Sequence, residues 1–176
     1  MAAPILNQRD LDFMLYELFD VEAMIERERY ADHSRETFSA AIETSRTVAE
    51  KYFLPIRQKV DTNQPTFDGK NVHMIPEIKQ ALDAVVAAGL GSPRANYELG
   101  GMQLPSLVAA VCDGWLSAAA STTIGYIGLT NANANLIDAH GTEDQKRQWV
   151  EPMRSGRFAG TMAMSEPAAG SSLADI

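Results

Sequence analysis

Apolar side chains recur at the three- and four-residue spacing of helices along most of the chain, so the sequence predicts a mainly α fold. Asn7 can cap a first helix that ends near Arg29. Asp32 or Ser34 can cap a second helix that ends near Val60. The first helix has apolar residues on more than one face, which predicts that it buries two sides.

Two signals further along predict a short hairpin and a third helix. Asp68-Gly69 is a turn of the kind that joins short strands, so Thr66-Phe67 could pair with Asn71-Val72. Pro76 suits the first turn of a helix that runs to Ala88, because the N–H that proline lacks would be unpaired there anyway.

Two helices of small residues are predicted next. Pro105 opens one that ends near Ser121, and alanine and serine dominate it. Thr122 or Thr123 can cap the other, which runs to His140.

Gly125 and Gly128 stand inside the second of these helices. A glycine inside a helix costs about 1 kcal/mol relative to alanine, so the pair needs a reason. Room for a molecule lying against the helix is one reason. Close packing against another helix is the alternative, and the residues alone favour it.

One more helix is predicted, which begins with a capping-box pattern at Thr142 and Gln145 and ends near Ser155. The pattern of residues changes after this helix. Phe158–Ser165 is apolar and small enough for a buried strand, and Ala168–Ser172 is a loop of small residues. Such a loop offers backbone N–H groups and hydroxyls to a polar planar or anionic group. A β-turn that ends an edge strand is the alternative.

Charge and composition narrow the classes of protein. The net charge of −8 argues against nucleic acid or an anionic membrane surface as a partner. No apolar run reaches the ~20 residues of a membrane span, and residues 1–10 lack a signal-peptide pattern, so we expect a cytoplasmic protein. The single Cys112 cannot form an internal disulfide and suits a buried packing position. The three histidines lack a paired ligand spacing, so we expect no metal site.

Three ordered motifs in the second half of the chain resemble those of one family. Met162–Ser171 reads Met-Ala-Met-Ser-Glu-Pro-Ala-Ala-Gly-Ser and is similar to the flavin-loop signature of the acyl-CoA dehydrogenase family. Gly141–Lys146 and Pro152–Gly156 precede it at the family's usual distance, and Tyr97–Pro105 resembles the family's Tyr-Gly-Gly loop. Each motif alone would be weak evidence, but their order makes the resemblance specific.

The resemblance implies the amino-terminal part of a FAD-dependent enzyme. Ala3-Pro4 and Asp12–Leu18 are similar to a long bacterial branch that includes 3-methylmercaptopropionyl-CoA dehydrogenases. The expected organisation is a helical extension at 1–60, a helical domain at 61–156 and the start of a β-domain at 157–176. A mainly α, amino-terminal helical bundle would thus enter the first strand of a β-domain, and family members continue through that domain and a second helical bundle.

The resemblance also assigns site residues. Those that it places beside FAD are Met162, Met164, Ser165 and Ser171. Those that it places at the acyl-CoA substrate are Ile124, Gly125, Gly128 and Ser171. It assigns no catalytic residue in this chain, because the family's base resembles a carboxylate of the later helical domain, and Glu166 matches a structural acid of the motif.

The implied reaction oxidises an acyl-CoA to the 2,3-enoyl-CoA by α-proton abstraction and β-hydride transfer to FAD. The implied partners are the acyl-CoA, an electron-transfer flavoprotein or similar acceptor, and further copies of the chain in a homo-oligomer. The chain by itself is expected to be inactive.

Two departures and two alternatives accompany this reading. Ser172 stands where the family usually has Asp, and Leu99 interrupts the Tyr-Gly-Gly spacing. An acyl-CoA oxidase of the same fold, in which oxygen reoxidises the flavin, is one alternative. A non-catalytic helical interaction domain is the other, and a flavin absorption band in the purified protein would argue against it.

Overall fold

A computed structural model of the chain describes residues 5–172 and Ala174, and its framework is a bundle of helices. The mainly α prediction is confirmed. Ala3 and Pro4, which contributed to the resemblance, lie outside the described residues.

The described part of the chain consists of helical runs, short 3₁₀ turns and one hairpin. The helical runs are α1 at residues 8–18 (α-helical Gln8–Asp12, π-helical Phe13–Leu18), α2 at residues 35–62 (α-helical Arg35–Val48, π-helical Ala49–Phe53, 3₁₀ Leu54–Ile56, α-helical Arg57–Thr62), α3 at Pro76–Ala87, α4 at Ser106–His140 and α5 at residues 143–154 (α-helical Glu143–Gln145, π-helical Lys146–Val150, α-helical Glu151–Arg154). The separate 3₁₀ turns are Val21–Glu26, Glu28–Tyr30 and Tyr97–Leu99. The hairpin joins β1, Thr66–Phe67, to β2, Val72–His73.

The first helix is shorter than predicted. Asn7 caps α1 as expected, because its side-chain oxygen accepts the N–H of Arg9 at 3.0 Å. Asp20 then adopts a left-handed conformation with φ 45°, through which an α-helix cannot continue. The predicted continuation to Arg29 is therefore wrong, and 3₁₀ turns replace it.

Ser34 is the residue that caps α2. Its hydroxyl accepts the N–H of Thr37 at 3.3 Å, and the hydroxyl of Thr37 accepts the N–H of Ser34 at 2.8 Å. The run passes Pro55 by tightening to 3₁₀ geometry at Leu54–Ile56, because proline lacks the N–H that an α-helical turn needs.

The predicted hairpin and third helix are confirmed, with small shifts. β2 begins one residue later than expected, so Phe67 pairs with Val72 and Thr66 pairs with His73. Pro76 occupies the first turn of α3.

The two predicted small-residue helices are confirmed, because α4 is broken by a kink at Ala120, where φ of −158° and ψ of 87° lie outside the helical region. The predicted cap at Thr122 or Thr123 is wrong, because both lie within the helical run beyond the kink. Thr123 is fully buried, and its hydroxyl bonds to no other described residue. Thr142 and Gln145 form the predicted capping box at the start of α5.

By length and composition alone, α4 is long and apolar enough to cross a membrane. This finding corrects the expectation that no apolar run reaches the length of a membrane span. Core helices of globular proteins satisfy the same test. In this structure the first half of α4 buries Val108, Trp115 and Leu116 in the main core.

Two buried clusters hold the bundle together. The larger one packs α1, α2, α3 and the first half of α4 around Phe53 and Trp115, and thus joins residues of the expected segments 1–60 and 61–156. The smaller one packs Val150 of α5 against Ala134 of α4. The division of the chain into three units stays a prediction.

The strand expected at Phe158–Ser165 does not form among the described residues. The segment has no regular secondary structure, and the described pairing beyond it is an isolated bridge between Glu166 and Ala169. A strand depends on hydrogen bonds to a second strand, and no described segment provides them here.

Candidate functional site

The segment that follows α5 returns to the second half of α4, where two hydrogen bonds hold it. The N–H of Gly160 donates to Thr130 Oγ1 at 2.9 Å, and Asn133 Nδ2 donates to the carbonyl of Thr161 at 3.2 Å. Thr130 is buried, and its own hydroxyl donates to the carbonyl of Tyr126 at 2.6 Å. The start of the carboxyl segment is therefore fixed to α4.

Gly160 allows this close approach because it has no side chain. A Cβ atom there would lie 3.0 Å from Cβ of Asn133 and 3.2 Å from both Sδ of Met153 and Cα of Thr130. These distances are shorter than ordinary contacts of a Cβ, so a larger residue would push the segment away from α4.

Met162–Ser165, which we call the open strip, follows this anchored point. Met162 is 57% exposed and Met164 is 45% exposed. The backbone N–H groups of the open strip form no hydrogen bond with any other described residue. A polar planar ligand could bind along this row of peptide groups. Once the ligand shields the N–H groups from water, they need hydrogen-bond acceptors, which the ligand would provide.

A tight turn follows the open strip and leads to Ser171. Glu166 and Ala169 exchange backbone hydrogen bonds of 3.0 and 3.2 Å across it. Ala169 is buried, whereas Glu166 and Ser171 are exposed. The turn thus keeps both polar side chains on the surface.

The glycines of α4 face open space. A Cβ atom built at Gly125 or at Gly128 would meet no described atom within 4 Å, so close helix packing does not explain them in the described part of the chain. Leu129 beside them is 45% exposed. We call these three residues the open face of α4.

Ile124 is separated from the glycines, because it is partly buried against the main core. Three residues of α4 were expected to contact the substrate. Gly125 and Gly128 lie on the open face, whereas Ile124 lies behind it. On the other flank, the hydroxyl of Tyr126 donates to Sδ of Met74 at 3.1 Å, which joins the end of the hairpin to α4.

Polar residues of α4 that the sequence did not single out organise this region. Asn131 holds the preceding loop, since its Nδ2 donates to the carbonyl of Gly91 at 2.7 Å and its Oδ1 accepts the hydroxyl of Ser92 at 2.9 Å. Thr130 and Asn133 hold the carboxyl segment. The available signal was a cluster of Thr and Asn in an otherwise apolar helix.

A cleft of about 580 Å³ lies between α4, α5 and the carboxyl segment. Asn133, Met153 and Gly160 line one part of it, and Trp149 and Phe158 line another. The ring centroids of these two aromatic residues are 6.0 Å apart and the rings are tilted by 45°, and both residues are partly exposed to solvent. An apolar surface therefore continues from the anchored point towards α5.

The titratable groups with strongly shifted pKa values lie away from the open strip. Burial raises the pKa of Cys112 to about 12 and raises the pKa of the neighbouring Asp113. Within residues 5–172, no group of three or more histidine, cysteine, aspartate or glutamate side chains is arranged to hold a metal ion.

Comparison with known proteins identifies a family over most of the chain. Residues 35–157 match the family described as "Acyl-CoA dehydrogenase, N-terminal domain". Butyryl-CoA dehydrogenase of Syntrophomonas wolfei is 24% identical and aligns with 98% of this chain and 29% of its own length. The 3-methylmercaptopropionyl-CoA dehydrogenase of Ruegeria pomeroyi is 27% identical over 96% of this chain and 29% of its own length.

The human mitochondrial short-chain specific acyl-CoA dehydrogenase is 32% identical over 77% of this chain and 31% of its own length. This chain thus spans less than a third of the length of these relatives. A solved structure titled "Electron transferring flavoprotein of Acidaminococcus fermentans: Towards a mechanism of flavin-based electron bifurcation" has a chain with a TM-score of 0.64 and 22% identity, covering 81% of this chain and 35% of that one. At this identity the likeness concerns the fold alone.

Proposed function

Because this chain belongs to the acyl-CoA dehydrogenase family, we propose that it is the amino-terminal part of a FAD-dependent enzyme that oxidises an acyl-CoA to the 2,3-enoyl-CoA. The named relatives are acyl-CoA dehydrogenases, which supports this reaction class. The proposal includes an electron-transfer flavoprotein or similar acceptor as partner, a homo-oligomeric state and a cytoplasmic location, which rest on the resemblance and the composition.

The observation that carries the proposal is the open strip, whose start is fixed to α4. Backbone N–H groups of Met162–Ser165 have no partner among the described residues, so they suit the carbonyl and nitrogen edge of the isoalloxazine ring. The exposed Ser165 hydroxyl adds a donor at the end of the same row. The residues present therefore fit the cofactor that the family implies.

In the proposed mechanism this chain binds and orients rather than exchanging protons. FAD, when bound, provides the acceptor for the electrons of the oxidation. The open strip holds the ring through its backbone donors, and such donors stabilise negative charge that gathers near them. The missing side chains of Gly125 and Gly128 leave space on α4 for the acyl chain.

Acid–base chemistry is assigned to no residue of this chain. Glu166 lies in the exposed turn, where water competes for its carboxylate. We propose that a carboxylate outside the described residues removes the α-proton, because a base must reach the substrate carbon directly.

The direct test uses the complete gene product. We expect the purified protein to show the visible absorption band of an oxidised flavin, and we expect butyryl-CoA to bleach the band under anaerobic conditions. A colourless protein that leaves thioesters unchanged would contradict the proposal. Rapid return of the colour in air with release of hydrogen peroxide would favour an oxidase.

Ser165→Ala tests the open strip itself. We expect it to weaken flavin retention or raise the barrier to turnover by roughly 1–3 kcal/mol, because one partner of a covered hydrogen bond is lost. Ser117→Ala, an exposed serine on the first half of α4, is the matched control and should behave as wild type. Unchanged flavin content and rate in Ser165→Ala would remove Ser165 from the site.

A further inference from the structure

We propose that Thr130 is a positioning residue that fixes the start of the open strip against α4, with Asn133 as a second anchor. The inference rests on the proposed function, because the open strip is the surface assigned to the flavin.

The hydroxyl of Thr130 has a fixed orientation. A hydroxyl carries one hydrogen and two acceptor lone pairs, and the hydrogen of Thr130 is engaged by the carbonyl of Tyr126 at 2.6 Å. Its oxygen is then directed to accept the N–H of Gly160 at 2.9 Å. Thr130 is only 5% exposed, so water competes poorly for either bond.

This bond lies close to the open strip. Along the carboxyl segment, Gly160 is two residues from Met162, or at most ~7 Å. A change in the contact between Thr130 and Gly160 therefore displaces the open strip relative to α4.

The anchored point is restrained from both sides. Asn133 Nδ2 holds the carbonyl of Thr161 at 3.2 Å, which prevents the peptide plane from rotating freely. The absent side chain of Gly160 brings its backbone to Cα of Thr130 and Cβ of Asn133 at contact distance. Contacts of this kind matter for catalysis because they fix the position of the groups that bind the reactants. A displacement of 1 Å can lower the rate about a hundredfold.

The experiment compares Thr130→Val with Thr130→Ser in the complete protein. Valine keeps the shape and removes the hydroxyl, whereas serine keeps the hydroxyl. In Thr130→Val we expect amide hydrogen exchange at Gly160 to accelerate about tenfold or more, also after the flavin has been removed. We also expect a shifted flavin absorption band and a fall in kcat that exceeds any change in KM.

Thr130→Ser should retain the wild-type exchange rate, spectrum and kcat, which a general loss of packing would not allow. Gly160→Ala is the second variant, because it leaves Thr130 intact and displaces the segment by steric contact. It should reproduce the spectral shift and the fall in kcat, and it keeps the test decisive if Thr130→Val does not fold.

The two proposals fail in different ways. A wild-type protein without flavin overturns the proposed function. The role of Thr130 alone is overturned if the wild-type protein holds flavin and a folded Thr130→Val variant keeps the wild-type Gly160 exchange, spectrum and kcat. A folded Gly160→Ala variant with the wild-type spectrum and kcat overturns it equally.

Discussion

Burial governs the chemistry of the single cysteine. Desolvation and, to a smaller extent, the negative charge of Asp113 raise the pKa of the Cys112 thiol to about 12. Because the thiolate is the reactive form, the native thiol is inert at neutral pH. We expect a colourimetric thiol reagent to leave Cys112 unmodified in the native protein and to modify it fully in denaturant. Modification of the native protein at the rate of free cysteine would contradict its buried placement.

Asp68 provides a pH-dependent contact within the hairpin. The N–H of Asn71, the side chain of His73 and the N–H of Lys70 lower its pKa from 3.8 to about 2. A carboxylate whose pKa is lowered in the folded state stabilises that state above its ordinary pKa, and the contribution is lost as the pH falls through the folded value. We expect the carboxyl carbon of Asp68 to titrate near pH 2 by NMR.

Asp68→Asn provides the control for this titration. An asparagine keeps a side-chain oxygen that can accept the N–H groups of Lys70 and Asn71, but it does not ionise. The hairpin of the variant should therefore lose its pH dependence between about pH 4 and pH 2. A carboxyl that titrates at the ordinary value in wild type would contradict the contacts seen in the turn.

At the scale of elements, a single buried hydroxyl joins α2 to α4. Ser45 is fully buried, and its Oγ donates to the carbonyl of Cys112 at 2.7 Å. We expect Ser45→Ala to lower the free energy of unfolding by about 1 kcal/mol, measured by chemical denaturation, because one internal hydrogen bond is lost. Thr44→Ala is the matched control: its hydroxyl bonds the carbonyl of Ala40 within the same exposed helix face, so its effect should stay within about 0.5 kcal/mol. Equal losses of stability in the two variants would contradict a stabilising role for the hydrogen bond between Ser45 and Cys112.

The kink at Ala120 divides α4 into halves with different tasks. The first half buries Val108, Trp115 and Leu116 in the main core. The second half carries the open face and the anchors Thr130 and Asn133. Because Ile124 and Ile127 of the second half pack against the same core, the candidate site is mounted on an element that the core supports, which favours a rigid geometry.

At the scale of the whole molecule, the FAD contacts proposed for the described residues reach only one end of the cofactor. The open strip suits the ring system, but no described group is assigned to the pyrophosphate or the adenine. We therefore expect the 176-residue chain to bind FAD weakly, with half-saturation well above the micromolar range in a fluorescence titration. Affinity at micromolar concentration or tighter would contradict this, and heat-denatured chain provides the control for nonspecific quenching.

Local physics explains what the sequence by itself determined. Asn7, Ser34 and Thr142 cap their helices as predicted, and Asp68-Gly69 forms the predicted turn, because each depends on contacts within a few residues. The ordered motifs identified the family, and residues 35–157 match it. The roles assigned to Met162, Met164, Ser165 and Ser171 stay predictions.

Only the tertiary structure decided how the site is assembled. The strand expected at Phe158–Ser165 needs a partner that no described segment provides, so periodicity alone could not establish it. The direction of Ile124 depended on which face of α4 met the core. The bond between Thr130 and Gly160 joins residues thirty positions apart, and such a contact leaves no periodic trace in the sequence because it depends on the path of the chain between them.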